Sequence, residues 1–398
     1  MRAQFPILTA QPDWAYLDSS ATAQKPAAVF DAVHTYLNTI NANAGRGTYS
    51  WANETTAIID RARTRVARFL GDPRCPDDPR LAGERGADES TVTFVEGASG
   101  GLRRLALDWL VDHVRDGDHI LVPFADHQAN LLPWLEARDR LAANGVRITV
   151  DAIPYESART GDYDIERLKD VLSDRTTFVA VTHVHHVYGN DMNIHRIREA
   201  VGPDVVICLD AAQSVGHLPV DVGALDVDFV VLAGHKAMAL PGIGAIWSRN
   251  RRGRPFTPAG WSGTPNTSGV VSLVAALDWL ETVGIERIHT WTTALGALLT
   301  DALQSMDAYE VLGCQSSLTL DSKVQRRVGI VTFRHRHLSS NDLGFILDSR
   351  GVMVRADGHC QGSDGERTAS VRASMHAYTS LDEIGRLIEV MRELADAR

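Results

Sequence analysis

The stretch VVLAGHKAMALPGIGAIW, residues 230–247, starts with an apolar run that ends at His235 and Lys236. An apolar run of this length predicts a buried strand, and GAIWS (residues 244–248) predicts a second one. Small residues surround the lysine between the two runs. The prediction of fold and function therefore starts from the question of why a buried strand ends at a lysine.

Strand and helix patterns alternate on both sides of this stretch. Short apolar runs are separated by segments with helical periodicity, such as NLLPWLEARDRLAANG (residues 130–145). Apolar strands separated by helices indicate an α/β fold with a mainly parallel sheet, covered on both faces. The other predicted strands are TVTFV (91–95), HILVPF (119–124), RITVDAIPY (147–155), FVAVTHV (178–184) and VVICLDAAQ (205–213).

The two ends of the chain have different patterns. Residues 1–70 are mostly helical in periodicity. From about residue 267, two long helices precede a set of short strands, and the final helix begins with a capping box between Ser380 and Glu383. We expect an N-terminal arm (1–20) that joins the small domain, a large domain (21–265) and a smaller C-terminal α+β domain (266–398).

Composition restricts the class of protein. The 398 residues carry a formal net charge of −10, and 44% are hydrophobic, which is ordinary for a soluble globular protein. Neither half is strongly basic, so no nucleic-acid partner is expected. The first 20 residues lack the apolar core of a signal peptide, and no stretch approaches a membrane span. We therefore expect a cytoplasmic protein with no membrane partner, and its four scattered cysteines as free thiols.

Polar residues follow the predicted strands at their carboxyl ends, where open parallel sheets bind ligands. Asp210 and Gln213 follow one strand, and His235 and Lys236 follow another. The other strand ends lead to Ser99 in EGASGG, to Asp126 and His127, and to His185 and His186.

These residue types are the ones that hold pyridoxal 5′-phosphate (PLP). A lysine forms a Schiff base with the aldehyde, and an aspartate keeps the pyridine nitrogen protonated so that the ring accepts electrons. A flat side chain stacks on the ring, and N–H groups and hydroxyls at a helix N-terminus bind the phosphate. We therefore expect a PLP site around Lys236, Asp210 and Ser99.

With these residues the chain resembles the class V aminotransferase-type PLP enzymes of fold type I, and among them the cysteine desulfurase and selenocysteine lyase group. The matching stretches follow the family's order from about residue 16 to residue 376. The resemblance implies a mainly parallel, seven-stranded type of central sheet with helices on both faces, and a smaller α+β C-terminal domain. The stretches are YLDSSATAQKP, NAGRG, DHQANLLPW, THVHHVYG, DAAQSVGHLPVDV, DFVVLAGHK, GIGAIW, GTPNTSGV, GVMVRADGHC and SVRAS.

The resemblance implies a role at the cofactor for each matching residue. Lys236 resembles the Schiff-base lysine, Asp210 the partner of the pyridinium nitrogen, and Gln213 the contact to the ring oxygen. His127 resembles the histidine that stacks on the ring and can move protons. The implied phosphate ligands are Ser99 with its neighbour Ala98, His235, and Thr264, which is donated by the second subunit of a homodimer with shared sites.

The resemblance also implies a substrate side, for an amino acid. Arg372 resembles the clamp on the substrate carboxylate, because a guanidinium fork gives two parallel hydrogen bonds. Cys360 resembles the thiol that attacks the substrate's sulfur, and Arg355 stands five positions before it, as in the family. The remaining substrate-side residues, His186 and Tyr49, replace the family's usual asparagine and histidine.

Other departures from the family concern the phosphate loop and the cover of the site. Ala233 replaces a phosphate-binding serine, and Ala98 with Ser99 replaces a Thr-Thr pair. The segment between Lys236 and GTPN is shorter than the family's. A shorter cover predicts a more open site and a bulkier cysteine conjugate as substrate.

The chemistry of the thiol and of the histidines stays open. Cys360 is reactive only if positive charge lowers its thiol pKa, for which Arg355 and His359 are the candidates; otherwise it is an inert surface thiol. No acidic or cysteine partner completes a metal-ligand set near the histidines, so no metal is expected. These histidines are His183, His185, His186 and His195.

The predicted function is that of a PLP-dependent lyase that cleaves the Cβ–S bond of an L-cysteine-derived substrate. Lys236 removes the Cα proton. If Cys360 attacks the sulfur, the products are alanine and a persulfide; if it does not, elimination gives pyruvate and ammonia. The alternatives are a PLP-dependent transaminase, epimerase or decarboxylase, a catalytically silent scaffold, and a sulfur donor in a protein relay.

Overall fold

The structure is a computed structural model, and it describes residues 1–73, 91–157, 161–249, 256, 263–313, 327–360 and 369–395. Most of the polar loop GDPRCPDDPRLAGERGADES, with Cys75, lies outside the described residues, as does Cys314. Thirteen strands lie within the described part. They are β1 (Ala15–Tyr16), β2 (Thr91–Val95), β3 (His119–Val122), β4 (Thr149–Ala152), β5 (Thr176–Thr182), β6 (Val206–Asp210), β7 (Phe229–Ala233), β8 (Gly244–Ser248), β9 (Tyr309–Leu312), β10 (Ile330–His335), β11 (Val352–Met353), β12 (Arg355–Asp357) and β13 (Ser370–Ser374).

Helices alternate with most of the strands of the first 250 residues, as the periodicity predicts. A π-helical segment, Leu105–Leu110, continues the fourth helix into the fifth. The α-helices are α1 (Pro6–Ala10), α2 (Ala27–Thr39), α3 (Ser50–Phe69), α4 (Ala98–Arg104), α5 (Val111–His113), α6 (Leu132–Ala143), α7 (Ile165–Val171), α8 (Ile194–Val201), α9 (Val222–Leu225), α10 (Thr267–Val283), α11 (Ile285–Gln304), α12 (Ser340–Ser349) and α13 (Leu381–Leu394).

The central sheet has seven strands in the order β2-β8-β7-β6-β5-β3-β4. The five strands β4, β3, β5, β6 and β7 pair in parallel, whereas β8 is antiparallel to both of its neighbours. The mainly parallel, seven-stranded sheet of fold type I is therefore confirmed. The parallel strands all end at one edge of the sheet, which is where their polar residues meet.

Apolar side chains cover both faces of this sheet. Successive residues of a strand point to opposite faces, and along β7 Val230 and Leu232 join one core cluster while Phe229 and Val231 join another. The first cluster packs against α3, α8 and α10, and the second against α4 and α6. Burial on both faces explains why these strands are continuous apolar runs.

The C-terminal part forms a second sheet, antiparallel, in the order β12-β13-β10-β9. It packs with α11, α12 and α13 around a core of its own. The N-terminal strand β1 pairs in parallel with β11, which ties the first residues to this part of the chain. The predicted capping box of α13 is present: the Ser380 hydroxyl accepts from the Glu383 N–H, and the Glu383 carboxylate accepts from the Ser380 N–H. The domain boundaries given above stay a prediction.

Among the described residues, no single helix has the length and apolar character to cross a membrane. The consecutive helices α10 and α11 pass that test only as a pair, and they meet at a bend of 76°.

Candidate active site

A cavity of about 210 Å³ lies at the carboxyl ends of β5, β6 and β7. It brings together most of the residues that the sequence predicts for the site. The predicted residues that line it are Ala98, Ser99, His127, His186, Asp210, Gln213, His235, Lys236, Arg355 and Arg372. Residues separated by up to 274 positions in sequence therefore share one concave surface, which is the usual form of a small-molecule site.

A larger groove, of about 500 Å³, lies on another part of the surface between α2, α3 and α10. Its lining is mostly apolar, with Arg61, Arg65, Arg68 and Asp278 as the charged residues. The polar residues at the strand ends do not line it, so the chemistry belongs to the smaller cavity.

Lys236 lies in the connection between β7 and the antiparallel β8. The connection is tight: a Cβ at Gly234 would lie 2.8 Å from the carbonyl oxygen of Ile243, and Ala237 and Ala239 are fully buried. The small residues around the lysine are thus required by the close return of the chain. The pKa of Lys236 is lowered to about 8: burial is the largest cause, Asp210 opposes it and Arg372 adds to it.

Asp210 is the last residue of β6 and is buried beside the lysine. Its Oδ1 accepts a hydrogen bond of 2.9 Å from the N–H of Ala212. Burial raises the pKa of Asp210 to about 6, although this hydrogen bond and Lys236 both lower it. Near neutral pH the group is a carboxylate, able to accept from a protonated ring nitrogen.

Four buried polar atoms of residues that line the cavity have no hydrogen-bond partner among the described residues. They are Gln213 Oε1, Ser20 Oγ, His186 Nδ1 and Arg372 Nε. Gln213 is held from its other side, because its Nε2 donates to the carbonyl of Ser20 at 3.0 Å. Buried polar groups are almost always paired in folded proteins, so these atoms fit a wall that a polar ligand completes.

His127 and His186 stand in edge-to-face contact, with ring centroids 5.0 Å apart. His127 Nδ1 accepts from the N–H of Ala129 at 3.1 Å, so the proton of the neutral ring is on Nε2. Burial lowers the pKa of His127 to about 4, with Lys236 as the next cause. The ring is therefore neutral and flat at physiological pH, as a stacking partner should be.

A buried carboxylate supports this wall from behind. Asp126 is fully buried and accepts from the hydroxyls of Tyr155 at 2.9 Å and Tyr163 at 2.7 Å, and His185 Nε2 lies 3.3 Å away. The Tyr163 hydroxyl in turn accepts from the N–H of Thr182 at the end of β5. Sequence reasoning noted Asp126 at a strand end but gave it no role.

Arg372 is buried at the back of the cavity. Its Nη1 donates to the carbonyl of His186 at 2.9 Å and its Nη2 to Asp18 Oδ1 at 3.1 Å, while Nε has no partner among the described residues. The implied carboxylate clamp is thus present but already holds Asp18. Asp18 was missed from the sequence, although it lies in the matching stretch YLDSSATAQKP.

The predicted phosphate end is formed by the start of α4 and by His235. Ser99 and Ala98 lie in the first turn of α4, next to Gly97, and line the cavity. Burial lowers the pKa of His235 to about 4, so the ring is neutral. Neutral donors at a helix start suit a phosphate group.

Cys360 is exposed at the mouth of the site. Arg355 Nη2 lies 3.3 Å from its Sγ, while Arg355 Nε donates to Asp357. The expectation that His359 adds positive charge is wrong: burial, with Arg372 as the next cause, lowers its pKa to about 3. The positive charge beside the thiol comes from Arg355.

Besides Cys360, two predicted site residues do not line the cavity. Thr264, just before α10, and Tyr49, just before α3, are both exposed and do not line it. Their assignment to a shared site stays a prediction. Within the described ranges, no three histidine, cysteine or carboxylate side chains lie close enough together to hold a metal ion.

Comparison with known proteins shows the family of this chain. The profile of the family described as "Aminotransferase class-V" matches residues 15–387. The chain is 30% identical to a cysteine desulfurase of Cronobacter sakazakii over 98% of this chain and 96% of that protein. It is 28% identical to the cysteine desulfurase CsdA of Escherichia coli K12, again over 98% and 96%.

Solved structures agree with the sequence comparison. The apo structure of a cysteine desulfurase from Thermococcus onnurineus NA1 superposes with a TM-score of 0.83 at 25% identity, over 100% of this chain and 98% of that one. The S-sulfonic acid form of Escherichia coli CsdA superposes with a TM-score of 0.77 at 26% identity, over 98% and 96%.

Proposed function

The chain belongs to the class V aminotransferase family, and from this premise we propose that it is a PLP-dependent lyase that cleaves the Cβ–S bond of L-cysteine. The observation that carries the proposal is the meeting of Lys236, Asp210 and His127 in one cavity. The relatives are cysteine desulfurases, and nothing in them favours a bulkier conjugate. Nor do they favour a transaminase, epimerase or decarboxylase, so free cysteine is the proposed substrate.

The cofactor is PLP, as in the family, and the residues of the cavity fit it. When bound, PLP supplies a ring that accepts the electrons of the substrate's Cα–H bond. Lys236 would hold its aldehyde, Asp210 would keep the proton on its ring nitrogen, and His127 would offer a flat face. The unpartnered Gln213 Oε1 and the start of α4 provide polar contacts for its ring substituents and its phosphate.

Lys236 also moves the proton. With a pKa lowered to about 8, its amine loses its proton more readily than an ordinary lysine and takes the Cα proton of the substrate. Arg372 orients the substrate by binding its carboxylate through the guanidinium, in exchange for part of its contact with Asp18. The same lysine returns a proton to carbon, which yields alanine.

Cys360 receives the sulfur. Its thiolate, beside Arg355, attacks the substrate's sulfur, so that an S–S bond forms as the Cβ–S bond breaks and the bonding electrons stay with the carbon. The product on the protein is a persulfide, and the carbon fragment leaves as alanine. The step conserves electrons without an added oxidant.

The active assembly is a homodimer located in the cytoplasm. The exposed position of Thr264, away from its own cavity, supports a role at the partner's phosphate site. An interface at this position makes each site depend on both subunits.

The test is to incubate the purified holoenzyme with L-cysteine and a reductant, and to measure alanine and sulfide. Stoichiometric alanine and sulfide are expected, and Lys236→Ala is expected to abolish both and to leave no pyridoxyl adduct after borohydride treatment. Pyruvate and ammonia in place of alanine, or an adduct on another lysine, would refute the proposal.

A further inference from the structure

The backbone at Cys360 has an unusual conformation. His359 (φ 54°) and Cys360 (φ 59°) are consecutive non-glycine residues in the left-handed region. Each such residue costs free energy relative to the right-handed or extended regions, so other contacts must hold the turn. Two of these contacts come from the C-terminal sheet. The N–H of His359 donates to Asp357 Oδ1 at 2.6 Å, and the His359 ring lies 2.8 Å from Ser370 Oγ.

Two donors from the cofactor side of the cavity hold the same turn. His186 Nε2 lies 2.8 Å from the carbonyl oxygen of His359, and because a carbonyl only accepts, the ring nitrogen donates. The N–H of Gln128 donates to the carbonyl oxygen of Cys360 at 3.2 Å. The wall that carries the stacking histidine is therefore hydrogen-bonded to two successive residues of the thiol turn.

The ring of His186 has little freedom to leave this position. It is 3% exposed, and it stacks on His185 with centroids 5.2 Å apart and planes at 17°. His185 is itself fixed, since Nδ1 accepts from the N–H of Val187 and Nε2 faces Asp126. Because the ring is already fixed, little side-chain entropy is lost when its N–H holds the strained turn.

We propose that His186 is a positioning residue: its Nε2–H holds the His359–Cys360 turn against the wall of the cofactor cavity, and so sets where the thiol stands. We call this hydrogen bond from His186 to the carbonyl oxygen of His359 the tether. The effect of the tether on catalysis rests on the proposed function, whereas its existence does not. The usual asparagine of the family lacks the reach for this contact, because its amide nitrogen lies one bond closer to the backbone than Nε2 of histidine. Glutamine restores that reach.

The test compares His186→Asn, His186→Gln and His186→Ala in the holoenzyme by hydrogen–deuterium exchange. The diagnostic amide is that of Gln128, which donates to the carbonyl oxygen of Cys360, the residue after the one that His186 holds. Loss of one hydrogen bond from the turn should speed its exchange roughly fivefold in the Asn and Ala variants. The Gln variant should exchange like the parent protein, and so should His195→Ala, which changes an exposed histidine on α8.

A second readout is the rate of sulfide release from cysteine, which should fall several-fold in the Asn variant and much less in the Gln variant. Parent-like exchange at Gln128 in the Asn and Ala variants overturns the inference, as does a Gln variant that exchanges as fast as the Ala variant. If the Ala variant does not fold, the Asn and Gln pair decides. A parent protein that releases no sulfide refutes the proposed function, whereas the exchange data still decide on the tether.

Discussion

Lys236 and Asp210 illustrate how one buried cavity shifts two opposite charges toward neutrality. Burial lowers the pKa of the lysine to about 8 and raises that of the aspartate to about 6, while each group partly offsets the effect on the other. A bound ring nitrogen gives the aspartate a positive partner. The cavity therefore suits a ligand with a protonatable ring.

Replacing the carboxylate without changing its shape tests this pairing. In Asp210→Asn the amide cannot hold a proton on the ring nitrogen, so desulfurase activity should fall by roughly 100-fold or more while PLP stays on Lys236. Steady-state alanine production with an absorbance spectrum of the bound cofactor measures both. Asp226→Asn is the matched control, because Asp226 pairs with Arg249 outside the cavity. Parent-like activity in Asp210→Asn would contradict the assigned role.

At the scale of elements, the strands and most helices follow from local pattern. The apolar runs at 178–184, 205–213 and 229–235 become β5, β6 and β7, because a strand buried on both faces needs continuous apolar residues. The capping box of α13 is equally local. These features were predictable because the residues that decide them are neighbours in sequence.

Contacts between distant elements were not predictable in this way. Asp18 and Arg372 meet across 354 positions, and no periodicity connects β1 with β13. The positive charge expected from His359 fails for the same reason: its sequence neighbours do not reveal that it is buried. The resemblance to a family predicts that Arg372 lies in the site. Its hydrogen-bond partners are known only from the folded structure.

The buried hydrogen bonds of Tyr163, to Asp126 and to Thr182 at the end of β5, lead to a prediction about stability. In Tyr163→Phe, Asp126 loses one of its donors and the N–H of Thr182 loses its acceptor, all of them buried. The free energy of unfolding should fall by about 1–3 kcal/mol, as measured by urea denaturation. Tyr49→Phe, which alters an exposed ring, should leave it unchanged. Equal stability of the two variants would mean that these buried hydrogen bonds do not contribute to the free energy of unfolding.

The molecule as a whole contains an unusual number of neutral histidines. Burial is the largest cause of the lowered pKa in each, and in His127, His217 and His235 the value falls to about 4. The full set is His127, His183, His185, His186, His217, His235, His289, His335, His359 and His376.

Stability in acid follows from these histidines. The unfolded chain takes up their protons near pH 6.5, whereas the folded chain takes them up only at lower pH, near pH 4 for His127, His217 and His235. Their stabilisation is therefore complete above pH 6.5 and is lost as the pH falls through the lowered pKa values. Asp210 and Asp18, whose pKa values burial raises, act in the opposite sense but are two groups against ten. The melting temperature of the cofactor-free protein, followed by circular dichroism, should fall steadily from pH 7 to pH 4. A constant melting temperature over this interval would contradict the prediction.

The pairing of the first residues with the last has a consequence for synthesis on the ribosome. The N–H of Ser20 donates to Ser374 and Arg372 donates to Asp18, so the wall behind the lysine contains segments that are 354 positions apart in the chain. At 5–20 residues per second, roughly 7–27 s separate the appearance of residue 236 from that of residue 372. During that time Lys236 of the nascent polypeptide lacks its enclosing wall and the burial that lowers its pKa. The cofactor cavity can therefore close only after residue 372 has been synthesised.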